Sequence, residues 1–254
     1  MQGPSTTTPE DCLAPTLAAL GDRPRTAIDR LAGLGFRAVQ LSASQPGLRP
    51  RELDRSGRRD LKTKLSRLAM APAGLDLWLP EAHLRDPARA DRAIATIQAA
   101  VELAADLGRV AMSLMLPARE DAVSPITAIL DAVVEKALRF GVPLADCAVP
   151  PSDRAEVGVG IDPAFWMSHG RNPVEAVRVH ADRLRSVRLS DLASTGERVP
   201  AGSAEEGRLD LPEYRAALQA HGYDGPVVVD LRGRGDPWGD LEQVERAWGL
   251  AGLV

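Results

Sequence analysis

Lysine is almost missing from this chain: of 31 basic residues only Lys62, Lys64 and Lys136 are lysines, and the rest are arginines. With abundant alanine this reads as coding composition, so no single arginine carries an argument by its type alone. Cysteine is as scarce. Cys12 and Cys147 are the two present; they are far apart, fit no CxxC spacing and are read as reduced and buried. Histidine, at four residues, is too sparse for the multi-histidine clusters of metal-dependent DNA-repair barrels, and a net charge of −4 suits nucleic acid poorly. The N-terminal MQGPSTTTPEDCLAP has neither a basic region nor an apolar stretch, so no secretory signal is readable. No apolar run nears the roughly eighteen residues that a membrane span needs. These absences lead to the expectation of a cytoplasmic protein with no membrane or nucleic-acid partner; they name no oligomeric state. Nucleotide-binding GxGxxG and GxxxxGK[ST] loops and the GxSxG elbow of Ser-His-Asp hydrolases are also missing.

What is present is an ordinary globular composition, 44% hydrophobic and 26% charged, over 254 residues. That length matches the roughly 250 residues of a (β/α)8 barrel. One pattern recurs: an amphipathic helix, a glycine, then a short apolar run, as in LAGLG-FRAVQLS, AADLG-RVAMSLML and ALRFG-VPLADCAV. Gly35, Gly108 and Gly141 stand where a helix end takes a left-handed residue. Asp86-Pro87, Ser124-Pro125, Asn172-Pro173 and Asp210 with Pro212 mark helix starts. After Pro87, Ala90, Ile94, Ile97, Val101, Ala104 and Leu107 recur at helical spacing.

Strands are expected near residues 12–19, 36–42, 74–79, 110–116, 142–148, 157–162, 186–191 and 226–231. Eight strands alternating with helices predict one α/β domain over 1–254, a (β/α)8 TIM barrel with residues 1–11 as a flexible N-terminus. About ten residues separate the fifth and sixth strands, too few for a crossover helix, so helix five is expected to be short or missing.

A period of two places Leu144, Asp146 and Ala148 on one face of the fifth strand, and Gly158, Gly160 and Asp162 on one face of the sixth. The seventh gives Ser186, Arg188 and Ser190, and the eighth Val228, Asp230 and Arg232. The opposite faces of the last two strands are apolar and suit packing against helices. The polar sets are therefore expected inside the barrel near its carboxyl end, where this architecture carries active sites. A structural salt-bridge cluster, Arg188 satisfying the three aspartates, is the alternative.

The segments GLDLWLPEAHLRDPARADRAIATIQAAVELAADLG, VGVGIDPAF and LRSVRLSDL resemble the xylose-isomerase-like sugar phosphate isomerases and epimerases, and the likeness covers nearly the whole chain. Members of that family carry Glu, Asp, His and Glu on strands five to eight. The four hold one divalent metal, and the two glutamates exchange protons beside the substrate carbonyl. By position the resemblance implies Asp146, Asp162, Arg188 and Asp230 in those places, so only Asp162 keeps its type. Guanidinium has no lone pair for a metal. No cofactor is therefore expected; Mg or Mn held by Asp162 with Asp146 and Asp230 is the alternative, with Arg188 turned aside.

Two functions follow. One is an isomerase or epimerase of a small sugar or hydroxycarbonyl compound, with Asp146 and Asp230 as the acid–base pair and Arg188 holding an enolate oxygen. The other is a barrel without turnover that binds a polyol or a protein partner. Glu81 and His83 in LPEAHL, Trp166 beside Phe165, Asp191 and Arg232 are candidate substrate contacts. The glycine-containing stretch from Gly202 to Asp210 is a candidate flap, with a plain surface loop as the alternative.

Overall fold

The computed structural model describes residues 13–21, 23–117, 125–203 and 207–252. The readings placed on residues 1–11, Cys12 and Ser124, and on the middle of the 202–210 stretch, lie outside the described residues. Eight parallel strands are Leu13–Pro15 (β1), Ala38–Ser42 (β2), Ala71–Asp76 (β3), Met112–Leu114 (β4), Leu144–Asp146 (β5), Gly158–Ile161 (β6), Leu184–Leu189 (β7) and, last in the chain, Val227–Val229 (β10). They run in the order β1-β10-β7-β6-β5-β4-β3-β2, and a parallel bridge between Thr16 and Gln40 joins the two end strands. The architecture is a (β/α)8 barrel. Two further short strands, Asp191–Leu192 (β8) and Arg198–Val199 (β9), pair antiparallel beyond the end of β7.

The helices begin and end where local chemistry directs. Pro87–Asp106 (α4) starts under an Asp86 carboxylate that accepts from the Ala88 N–H. Pro173–Val179 (α7) and Leu211–Ala220 (α8) start under Asn172 and Asp210 in the same way. Gly35, Gly108 and Gly141, with φ of 100°, 114° and 65°, turn the chain out of Pro24–Gly33 (α1), α4 and Pro125–Phe140 (α5). Between Asp146 and Gly158 the chain forms no helix, so the fifth crossover is a loop. The first strand is shorter than its sequence pattern: residues 17–19 already turn into a 3₁₀ helix under the Thr16 hydroxyl. His180 ends α7.

The outer strand faces carry Val39, Leu41, Leu75, Met112, Leu114, Val159, Ile161, Val187, Leu189, Val227 and Val229, all buried beneath the helices. Many of the inward positions are small. Ala14, Gly74, Ser113, Ala145, Gly160 and Ser186 share one phase through the strand register, and the Ser113 hydroxyl donates 3.0 Å across the barrel to Ser186. A side chain on Gly160 would put its Cβ 2.4 Å from the Cys147 sulfur, so glycine is required there. Because many neighbouring positions are small, the barrel has room for long buried side chains such as Gln40, paired in register with Gly74, and Arg188, which heads the fully buried side chains by volume.

Candidate functional site at the barrel mouth

Arg188 points inward from β7 and is 0% exposed. It donates 2.7 Å to Asp230 Oδ2, and its other terminal nitrogen lies 3.6 Å from Asp76 on β3. Burial alone pulls a guanidinium pKa down, but the Asp230 and Asp76 charges more than reverse this and hold it above the usual range. Asp230 follows β10 and is gripped again from the rim. Arg232 Nε reaches its two oxygens at 2.9 and 3.1 Å, and Arg232 Nη2 reaches Oδ2 at 2.5 Å. Burial raises the Asp230 pKa, yet Arg188, Arg232 and Arg198 outweigh it and keep the carboxyl far below the ordinary carboxylate range.

Asp162 follows β6 and does two tasks. Its Oδ1 accepts from Ser190 Oγ at 2.7 Å and, more weakly, from the Phe165 N–H that opens Pro163–Ser168 (α6). Its Oδ2 is ion-paired to Arg198 of β9 and lies 3.7 Å from Arg232. Arg198 comes down onto the mouth because β8 and β9 form a hairpin, turned at Gly196 with φ of 88°. Its Nη1 stays 3.9 Å from Asp230, too far for a hydrogen bond, and has no other acceptor among the described residues. Trp78, beyond β3, lies over the cluster, with the Arg188 and Arg232 guanidinium carbons 5.0 and 4.4 Å from its ring centroid. A cavity of about 320 Å³ opens above, walled by Trp78, Met115 and Phe165 and floored by Cys147, Asp162, Arg198 and Arg232.

The structure thus brings Asp162, Arg188, Asp230 and Arg232 together. Asp146 is elsewhere. Ser113 is inward and pairs with Ala145, so Asp146, paired with outward Leu114, faces away from the axis. Its carboxylate accepts from the Leu116, Ala148 and Ser152 N–H groups at 3.0, 3.0 and 2.7 Å and clasps the two loops above β4 and β5. Burial raises its pKa against the pull of these three donors. The inward residue on that strand is Cys147, whose thiol burial pushes up to about 12. The fifth-strand phase was read one residue out: both faces of this strand are buried, and alternation then cannot say which set is inside.

The other candidates divide. Trp166 is in the core, 7% exposed, with its ring centroid 5.9 Å from that of His180, so Phe165 and not Trp166 walls the cavity. Glu81 and His83 sit on Glu81–Arg85 (α3), away from the cavity lining, and Glu81 is exposed and paired to Arg85. Asp191 accepts from the Leu192, Arg208 and Leu209 N–H groups at 2.7 to 2.9 Å and binds the hairpin to the returning chain. It does not line the mouth. Arg188 is sealed below Trp78 and does not line it either.

Sequence reasoning passed over Asp76, Trp78 and Arg198. The first two were within reach, because the same period of two places Gly74, Asp76 and Trp78 on one face of GLDLWL. For Arg198 the signal was the DLASTGERV pattern, two short alternating pairs about a glycine turn.

The donor set does not fit a resident divalent metal. Asp162 and Asp230 already spend their inward oxygens on guanidinium groups, Asp146 is turned away, and the thiol of Cys147 is held protonated. Among the described residues no three His, Cys, Asp or Glu side chains converge as ligands. Three cations and three carboxylates (Asp76, Asp162 and Asp230) instead neutralise one another.

Solved structures share this architecture. A xylose isomerase domain protein from Planctomyces limnophilus superposes with a TM-score of 0.72 at 20% identity, covering 96% of this chain and 95% of that one. A D-psicose 3-epimerase from Clostridium cellulolyticum H10, solved with D-tagatose, gives 0.71 at 14% identity over 95% of this chain and 98% of that one. An L-ribulose 3-epimerase gives 0.66 at 16% over 95% and 93%. No protein-family model matches the chain, and no curated protein matches it in sequence. At these identities the likeness establishes the fold alone, a (β/α)8 barrel.

Proposed function

We propose that this chain, with the fold of the sugar 3-epimerases, binds a small polyhydroxylated ligand at its barrel mouth and does so without a metal and without exchanging a proton. One observation carries the reading: the carboxylate that lines the mouth, Asp162, and the buried Asp230 beneath it are already held by arginines. Asp230, kept far below its ordinary pKa by its arginines, is a weak base. The inward position on β5 offers a thiol pushed up to about 12 where a second base is needed. Proton exchange across two faces of a carbon calls for two opposed bases, and the described geometry offers none. Arg188 lies under Trp78, so an enolate oxygen in the cavity has no path to it.

Binding is better supported. The cavity, at about 320 Å³, falls in the range for small ligands. An indole face suits the C–H side of a sugar or polyol. The Arg198 and Arg232 guanidinium groups and the Asp162 carboxylate, all of residues lining the cavity, suit its hydroxyls. The solved neighbours include epimerases with D-tagatose and D-allulose bound, which supports a ligand of that class.

The test is calorimetric titration with D-tagatose, D-allulose and linear polyols, run beside solvent-deuterium exchange into the same sugars. Saturable binding lost in Trp78→Ala, with no deuterium uptake, is expected. Deuterium uptake abolished by Asp230→Asn would restore the isomerase reading, and absence of binding across the panel would overturn the proposal.

A further inference from the structure

Beside the mouth lies a second cavity, of about 510 Å³, between the chain after β2, the chain after β3 and helix α4. We infer that it is a binding site for an amphipathic anion, one apolar body with a single carboxylate or phosphate head.

Apolar residues form much of its wall, with Pro50, Leu77, Leu79, Ala95 and Ala99 among the lining residues. Arg49, Arg51 and Arg92 supply all of its charge, and no acidic side chain lines it. The three arginines are not equivalent. Arg49 is spent, since it pairs with Glu52 at 3.2 Å and donates 3.1 Å to the Ser44 carbonyl. Arg51 acts on Glu52 only through its field, with no ion pair within 4.0 Å among the described residues. Arg92 projects from α4 and makes no ion pair or side-chain hydrogen bond among the described residues. Two uncompensated guanidinium groups therefore border one apolar cavity in a chain whose net charge is −4. Local charge of that sign selects an anion, and the apolar wall selects its body.

Trp78 lines this cavity as well as the mouth, and its buried indole Nε1 has no acceptor among the described residues. Paired bonds between Ser44 Oγ and the Trp78 N–H and carbonyl hold this shared wall in place. Filling one cavity thus places a ligand against the same indole that walls the other. The inference does not rest on what occupies the mouth.

The experiment titrates the full chain with decanoate, decyl phosphate and decan-1-ol below their aggregation concentrations, read by calorimetry and tryptophan fluorescence. Both anions are expected to saturate one site, and the alcohol to bind at least about tenfold more weakly, the worth of one charge-assisted contact. Whichever anion binds more tightly identifies the head group. Arg51→Gln with Arg92→Gln is expected to weaken both anions by roughly tenfold or more and leave the alcohol unchanged. Ala99→Phe, checked by thermal melting, is expected to block all three by filling the cavity. Equal affinity for decanoate and decan-1-ol, unaltered anion binding in the double arginine variant, or no saturable binding would overturn the inference.

Discussion

Replacing Arg188 by methionine tests whether a guanidinium supports the barrel from within. Its two partners, Asp230 at 2.7 Å and Asp76 at 3.6 Å, are both without side-chain exposure. With an effective dielectric near 20, the bare attractions are about 6 and about 5 kcal/mol, much of which the desolvation of three charges offsets. The partners differ in what remains after the substitution. Asp230 keeps Arg232, but among the described residues Asp76 keeps no cation within 4.0 Å, only the Thr16 hydroxyl at 3.3 Å. Leaving such a charge uncompensated costs about 3–5 kcal/mol. For a chain of this size that lowers the melting temperature by about 6–20 °C. The cost should be concentrated on Asp76, so adding Asp76→Asn is expected to return about 1–3 kcal/mol rather than to destabilise further. Equilibrium urea unfolding of wild type, both single variants and the double variant closes the cycle. A loss below about 1 kcal/mol for Arg188→Met, or simple additivity of the two substitutions, would refute the reasoning.

Further outcomes follow from the same geometry. Asp146→Asn should cost about 1–3 kcal/mol of stability by weakening a clasp on three N–H groups, while ligand affinity at the mouth stays unchanged in calorimetry. In a Cys12→Ala background, Cys147 should resist a thiol-reactive disulfide dye at pH 8 under native conditions and react fully in denaturant, because burial holds its thiol at about 12. The folded pKa of Asp230 lies below its unfolded value, so its stabilisation is complete above pH about 4 and is lost as pH falls through the folded value. Asp230→Asn should accordingly flatten the acid limb of a stability–pH curve. Burial, helped by Arg183, lowers the His180 pKa, so acidification through about pH 6.5 should destabilise the fold, and His180→Gln should remove that step in thermal melts.

Local rules account for what the sequence determined alone. Helix starts at Asp86, Asn172 and Asp210, glycine exits at 35, 108 and 141, and the missing fifth helix each depend on a few adjacent residues, and together they specify a (β/α)8 barrel. The inward phase of Asp162, Arg188 and Asp230 was equally legible, because the apolar residues of β7 and β10 mark one face as packed against helices. On β5 the two buried faces carry Leu144 and Asp146 against Ala145 and Cys147, and only the pairing with β4 decided between them. Tertiary structure also decided which cation meets which carboxylate. Arg198 reaches Asp162 across 36 residues, and Arg188 lies beside Asp76 only once the barrel has closed. Alternation along one strand has no access to such distances. Charge type and inward phase are written in the chain, but whether a carboxylate is free to act as a base depends on which arginines the fold brings to it.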